Sequence, residues 1–150
     1  MIRLSLCMAA VVLMGTPALA CTIGADYQVS LKMQDTQTNG CTALFLEFPE
    51  QVGMLDRPEL TLIYEDEGSR KLHANLSVED YEKSDGKLTT SFCVTDEVLK
   101  KSSISIMWTL SEKNMAWMCS ASGKTGNLYK LLEDGGVATL ELFVTESSPF

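Results

Sequence analysis

Residues 85–94 are DGKLTTSFCV, and this short stretch decides the fold class. Asp85-Gly86 favours the two-residue turn of a β-hairpin, because both central positions of that turn need positive φ angles. Residues suited to the interior and to solvent alternate after the turn, which is the pattern of a strand with one buried face. The residues predicted to share the buried face are Leu88, Thr90, Phe92 and Val94.

The same period of two recurs along most of the remaining chain. No segment shows a sustained helical period, and turn residues separate nearly all of the alternating segments. We therefore predict an all-β protein, an antiparallel β-sandwich of about eight strands in one domain, residues 21–150. The further predicted strands are Tyr27–Met33, Cys41–Phe48, Leu60–Tyr64, Lys71–Val78, Ser103–Leu110, Met115–Ala121, Leu128–Leu132 and Val137–Thr145. The predicted turns and loops are Asn39-Gly40, Asp56–Pro58, Glu65–Gly68, Asp96–Lys101 (or one helical turn), Glu112–Asn114 and Ser122–Asn127.

The predicted sandwich is immunoglobulin-like only in a loose sense. Cys41 and Cys93 have a spacing that suits a disulfide between two sheets, but the more specific markers are absent. The position for a core tryptophan after Cys41 falls near Leu55. Ser91 and Phe92, rather than a tyrosine, precede Cys93. We therefore expect a β-sandwich architecture but not membership of the immunoglobulin family.

Residues 1–20 have the three parts of a secretory signal peptide. Arg3 supplies a positive start, Leu4–Met14 is apolar, and Ala18-Leu19-Ala20 places small residues before the cleavage site. The apolar run is shorter than the roughly 20 residues that a membrane-spanning helix needs. We predict cleavage near Ala20-Cys21, a periplasmic or secreted location, and no stable membrane anchor.

Four cysteines would remain after this cleavage, and an even number in an exported chain indicates two disulfides. They are Cys21, Cys41, Cys93 and Cys119. Of the three possible pairings, the sequential one, Cys21–Cys41 with Cys93–Cys119, is slightly favoured. In a simple meander Cys93 and Cys119 would lie two strands apart, about 10 Å, so their bond requires the middle strand to leave the sheet.

Lipidation of Cys21 is the alternative to a disulfide at this position. A bacterial lipoprotein signal has Leu three residues before the cysteine, whereas this chain has Ala18 there. Lipidation would also leave an odd number of cysteines in an oxidising compartment, which would need its own explanation. A soluble exported protein is therefore favoured over a lipoprotein.

No group of residues in the sequence has the pattern of a catalytic site, so we predict that the chain is not an enzyme. Ser122–Gly126, SGKTG, resembles half of a phosphate-binding loop, but Met118 stands where its first glycine is required. His73, the one histidine, lies between Lys71 and Asn75 on the predicted polar face of a strand. A general base would need a nucleophile and an orienting acid beside it.

Two patterns are compatible with a metal ion. Glu65-Asp66-Glu67 with Asp56 or Asp134 could bind calcium, although the spacing of an EF-hand is absent. The second pattern is a cluster of methionines and tryptophans, namely Met107, Trp108, Met115, Trp117 and Met118. Thioethers suit Cu(I), but neighbouring residues of a strand, such as Trp117 and Met118, point to opposite faces and do not converge on one ion. No cysteine pair has C-x-x-C spacing, so zinc is not expected, and no cofactor is predicted.

The charge balance favours binding to a cationic partner. The formal net charge is −8, and loss of Arg3 with the signal peptide would make it one unit more negative. An acidic surface disfavours nucleic acid and anionic membranes. We therefore expect an exported, non-catalytic protein-binding module, for example an inhibitor or immunity protein against a basic envelope hydrolase. The alternatives are a structural, envelope-assembly or adhesin-like component, and a periplasmic calcium- or copper-binding protein.

Overall fold

Alternating residues of ten strands build the interior of the described part of the chain. The computed structural model describes residues 23, 27–34, 40–76, 81–110 and 118–147. The predicted signal peptide, its cleavage site and Cys21 lie outside the described residues. The strands are β1 (Tyr27–Met33), β2 (Thr42–Pro49), β3 (Arg57–Asp66), β4 (Ser69–Leu76), β5 (Glu82–Ser84), β6 (Lys87–Val94), β7 (Ser102–Thr109), β8 (Met118–Lys124), β9 (Val137–Leu140) and β10 (Phe143–Ser147). Two short helices, α1 (Asp96–Lys101) and α2 (Leu128–Glu133), follow β6 and β8.

The strands form two antiparallel sheets of five strands each, which confirms the predicted all-β sandwich. Sheet 1 has the order β5-β6-β2-β1-β9, and sheet 2 has the order β10-β8-β7-β3-β4. The hairpins β1–β2 and β5–β6 belong to sheet 1, whereas β3–β4 and β7–β8 belong to sheet 2. The chain therefore crosses between the sheets after each hairpin.

The predicted hairpin turn at Asp85-Gly86 is confirmed. It joins β5 to β6, and its two residues have φ angles of 51° and 74°. After the turn, Leu88, Thr90 and Val94 are buried as the alternation predicts. Asp96–Lys101 forms a helix, the second of its two predicted forms. Its first turn is capped by the Thr95 hydroxyl, which accepts a hydrogen bond from Val98 N at 3.3 Å.

Trp108 is the largest fully buried side chain and connects the two sheets. It projects inward from β7 of sheet 2, and its Nε1 donates a hydrogen bond to the Pro49 carbonyl oxygen at 3.0 Å. Pro49 is the last residue of β2, which belongs to sheet 1. A buried donor without an acceptor costs about 1–3 kcal/mol, so this acceptor allows the indole to fill the interior.

The short strand predicted over Leu128–Leu132 was wrong, because this segment is helix α2. Asn127 caps the helix, its Oδ1 accepting a hydrogen bond from Lys130 N at 3.1 Å. Leu128 and Leu131 are both buried, and their spacing of three residues places them on one face of a helix. Asn127 Nδ2 also donates to the Lys100 carbonyl oxygen at 2.6 Å, so the cap joins α2 to the end of α1.

The chain from Val137 to Thr145 is two strands rather than the one that was predicted. β9 pairs with β1 at the edge of sheet 1, and β10 pairs with β8 at the edge of sheet 2. Leu142 lies between the two strands and packs against Gly123 of β8. A Cβ atom at residue 123 would lie 2.7 Å from Leu142 Cδ2 and 3.1 Å from Leu140 Cβ, so a larger residue there would require these side chains to move.

Two predicted loops are in fact strand. β8 continues to Lys124, where the glycine-rich loop Ser122–Asn127 was expected, because Gly123 pairs with β7. β3 begins at Arg57, where the turn Asp56–Pro58 was expected. Pro58 pairs with Trp108 of β7, and among the described residues β4 pairs with β3 only from Leu60 onward, so no described partner on that side requires the missing N–H.

The disulfide pairing predicted from the sequence was wrong. Cys41 is bonded to Cys93, with a Cα–Cα distance of 5.6 Å. The bond joins neighbouring strands of sheet 1, because Cys93 lies on β6 opposite Ala43 of β2, so it is not the inter-sheet disulfide of an immunoglobulin domain. The meander that underlay the prediction is also absent, since β6 and β7 belong to different sheets. Cys119 is disulfide-bonded as well.

Peptide mapping can verify this connectivity, because trypsin would place Cys21, Cys41, Cys93 and Cys119 in four different peptides, the first of them beginning at residue 21 if the predicted signal peptide is removed. We expect a non-reduced digest to link residues 33–70, which contain Cys41, to residues 88–100, which contain Cys93. The remaining pair should link residues 21–32 to residues 114–124, through the bond at Cys119. A link between residues 21–32 and 33–70 would contradict the structure.

The contribution of the buried indole can be measured with Trp108→Phe, which keeps an aromatic ring and removes the N–H donor. We expect the free energy of unfolding in urea to fall by about 2–4 kcal/mol, because the ring shrinks and the Pro49 carbonyl loses its donor. Met107→Leu, on the outward face of the same strand, is the matched control and should change stability by less than about 0.5 kcal/mol. Equal losses in the two variants would show that the sheet connection carries no special stability.

Candidate functional site

Lysines occupy the acidic turn that the sequence marked as a candidate calcium site. Lys124 Nζ lies 2.8 Å from Glu65 Oε1. Lys101 Nζ lies 3.0 Å from Asp66 Oδ1 and 3.3 Å from Glu97 Oε1. A calcium ion at this turn would therefore have to displace two ammonium groups from its ligands.

The other acidic residues proposed for that site lie apart from it. Asp56 precedes β3, and Asp66 is the last residue of that ten-residue strand, which places them about 30 Å apart. Asp134 follows α2, where Lys130 lies 3.4 Å from its carboxylate. Within the described ranges, no group of three or more His, Cys, Asp or Glu side chains could hold a metal ion.

Tyr64, Glu97 and Lys101 form a network that ties β3 to α1. The Tyr64 hydroxyl donates to Glu97 Oε1 at 3.0 Å, and Lys101 Nζ lies 5.8 Å from the centre of the Tyr64 ring. Hydrogen bonds to Asp66 and then to Glu97 raise the pKa of Lys101. Partial burial and then the bond to Glu97 raise the pKa of Tyr64. Both shifts favour the charged lysine and the neutral phenol, which makes the network structural and not a source of a general base.

The structure separates Met107 and Trp108 of the candidate copper cluster. Met107 lies on the outer face of β7 and is 38% exposed, whereas Trp108 is fully buried on the inner face. Met118 begins β8, and Met115 and Trp117 lie outside the described residues.

The remaining sequence candidates lie within sheet 2. Leu62 pairs with Ala74 and Ile63 with Leu72, so His73 is the extra residue of a β-bulge. SGKTG is not an open phosphate loop, because its first three residues belong to β8. Its Thr125 continues the pairing with β7, with Thr125 N donating to the Ile104 carbonyl oxygen at 2.8 Å.

Sheet 2 ends in a strand with exposed apolar side chains. Phe143 of β10 is 68% exposed, and Val144 is 43% exposed. Ser122 of β8 pairs with Phe143 of β10 on one side and with Met107 of β7 on the other. On the outer face of sheet 2, two apolar side chains therefore flank a small one. Val144 points to the inner face, opposite the buried Ala121 of β8, and no described strand pairs with the open edge of β10. We refer to the exposed apolar side chains at this end of sheet 2, Met107 and Phe143 on the outer face and Val144 on the inner face, as the β10 patch.

The edge at β10 differs from the other sheet edges. β5 has three residues, including Lys83, and β9 has four residues. β4 carries Arg70 and Lys71. Short or cationic edge strands resist pairing with other chains. The five residues of β10, FVTES, include no Lys, Arg or Pro, and Glu146 is their one charged side chain.

Carboxylates surround the β10 patch. Glu141 and Glu146 are exposed before and within β10, and Glu59 lies opposite Met107 on β3. None of these three forms an ion pair with the described residues. Lys124, at the end of β8, is already paired with Glu65. Exposed apolar side chains and carboxylates therefore lie together at this end of sheet 2.

The sequence analysis did not identify this patch, because Phe143 and Val144 lay within one predicted strand. A signal for it was present in Leu142-Phe143-Val144, three successive apolar residues within an otherwise alternating segment. In a strand, successive side chains point to opposite faces. Such a run therefore belongs either to a strand buried on both faces or to an edge with one apolar side exposed.

The chain matches no protein-family model, no curated protein and no solved structure with which it was compared. Among the described residues, no helix has the length and apolar character needed to cross a membrane.

Proposed function

We propose that this chain is an exported, non-catalytic binding module that captures a cationic protein at the open edge of sheet 2. The observation that carries the proposal is the β10 strand, which combines an edge with which no described strand pairs and the exposed side chains of Phe143 and Val144. An apolar edge of this kind would promote uncontrolled pairing unless a partner covers it. The proposed role of the edge is to bind that partner.

Strand addition is the binding mode that such an edge supports. The backbone of a partner segment would pair with β10 and extend sheet 2, and alternate side chains of the segment would contact Phe143 or Val144. Glu59, Glu141 and Glu146 would attract a segment that carries Lys or Arg beside its apolar residues. Charge complementarity of this kind raises the association rate and depends on salt concentration.

Export is part of the proposal and has two sources of support. Residues 1–20 have the pattern of a signal peptide. The Cys41–Cys93 disulfide is compatible with an oxidising compartment. A basic hydrolase of the cell envelope, such as a lysozyme, is one partner with the required charge, and capture of its substrate-binding strand would inhibit it.

The open edge also favours a second candidate function, as a structural component of the envelope. In that case β10 would pair with a strand of another assembly subunit or with β10 of a second copy. The apolar patch supports either outcome, whereas the unpaired carboxylates favour a cationic partner over an identical acidic copy. Light scattering tests pairing with a second copy, because self-assembly predicts a mass that rises with protein concentration.

The partner proposal is tested with Val144→Lys, which introduces a cation at the edge strand. We expect immobilised wild-type protein to retain a basic envelope protein that is released at about 0.5 M salt. Val144→Lys should weaken its binding by about tenfold or more, because the lysine repels the cationic segment and protects the edge. The purified partner and biolayer interferometry would provide the affinities.

Met54→Lys is the matched control, since Met54 is 51% exposed in the turn between β2 and β3 and the change in charge is the same. This variant should bind like the wild type. The proposal fails if no basic protein is retained, or if the two lysine variants lose binding equally. If no basic protein is retained and light scattering shows a mass that rises with protein concentration, the result would instead support the structural role.

A further inference from the structure

Sheet 1 opens into a groove where β1 and β2 separate. The two strands pair as far as Ser30 and Glu47, and the ladder stops there. Two residues further along β2, Pro49 has no N–H to donate. Its carbonyl oxygen accepts the Trp108 Nε1–H from the opposite sheet. The Pro49 nitrogen therefore cannot donate to β1 and its carbonyl oxygen is already engaged with sheet 2, which is consistent with the end of the β1–β2 ladder.

The groove has the size of a ligand site. Its volume is about 520 Å³, within the range of about 300–1,000 Å³ that is typical of small-molecule sites. Gln28 and Ser30 of β1 line one side, and Glu47 and Pro49 of β2 line the other. Val137 of β9 lies beside Ser30, and Lys87 of β6 lies opposite Pro49.

Polar groups of several kinds are available inside the groove. Lys87 Nζ lies 2.6 Å from Glu47 Oε1, which leaves the second carboxylate oxygen and two ammonium protons for other partners. The side chains of Gln28 and Ser30 form no hydrogen bond with any described residue. They supply one amide and one hydroxyl, each of which can both donate and accept.

This combination selects a particular ligand chemistry. An anion would meet Glu47 and Asp85, both of which line the groove. A cation would meet Lys87, whose charge already compensates Glu47. A purely apolar ligand would remove water from Gln28 and Ser30 without replacing their hydrogen bonds, which is unfavourable.

We infer that this groove binds a neutral polyhydroxylated ligand, namely a short segment of an uncharged saccharide chain. Its hydroxyls would donate to Glu47 and the Gln28 amide oxygen, and would accept from Lys87 and the Gln28 amide nitrogen. The C–H faces of a sugar ring would pack against Pro49 and Val137. This inference does not depend on the proposed function of the β10 patch, which lies on the other sheet.

The test is a titration of the mature protein, labelled with ¹⁵N, with three neutral oligosaccharides: chitotetraose, maltotetraose and cellotetraose. We expect at least one of them to shift the backbone amide signals of Gln28, Ser30 and Lys87 at concentrations up to about 10 mM. Gln28→Ala and Glu47→Gln should each weaken that binding by about tenfold, since each removes direct hydrogen bonds.

Lys32→Ala is the matched control, because Lys32 is exposed on the same strand and does not line the groove. Val144→Lys should also leave saccharide binding unchanged, which separates this site from the β10 patch. The inference is overturned if none of the three oligosaccharides shifts these signals. Tighter binding of the anionic trigalacturonate than of any neutral probe would overturn it as well.

Discussion

A single hydrogen bond between the sheets organises much of this structure. The indole of Trp108 reaches across the interior from sheet 2, and its Nε1 donates to the last carbonyl of β2 in sheet 1. The bond satisfies the only polar atom of the largest buried side chain. It also engages the Pro49 carbonyl, beside which the β1–β2 ladder ends. The same contact therefore stabilises the core and opens the groove on the outer surface of sheet 1.

The segment that contains β9 and β10 also has two roles in the structure. The chain pairs with β1 through β9, passes Gly123 at Leu142, and pairs with β8 through β10. This path joins the two sheets along one side with a single segment. It also leaves β10 as the last described strand of sheet 2, with Phe143 and Val144 exposed at its edge. The exposed apolar edge is thus a consequence of how the sandwich is joined.

Local patterns predicted most of the strands, because their physics is short-range. The alternation in β1, β2, β6 and β7 reports which side chains face the interior, and Asp85-Gly86 reports the positive φ angles of a tight turn. The segment at Leu128 was misjudged because three leucines within five residues fit a short strand as well as a helix. The Asn127 cap and the burial of Leu128 and Leu131 on one side decide for the helix.

Pairing across the sandwich could not be predicted in the same way. The bond between Cys41 and Cys93 requires β2 and β6 to be neighbours, although 52 residues separate the cysteines. The order of the strands depends on which hairpin packs beside which, and period-two patterns are alike in all of them. For the same reason the sequence showed Phe143 as part of a strand and not as part of an exposed edge.

The sequence by itself determined the all-β class, the turn at Asp85-Gly86, the inward face of each alternating strand and the acidic charge, because these depend on neighbouring residues or on composition alone. The tertiary structure decided the strand order, the partner of Cys41, the lysines that occupy the acidic turn, the groove at Pro49 and the open edge at β10. Each of these depends on which distant segments meet, and that is set by the packing of two sheets around Trp108 and not by any local pattern.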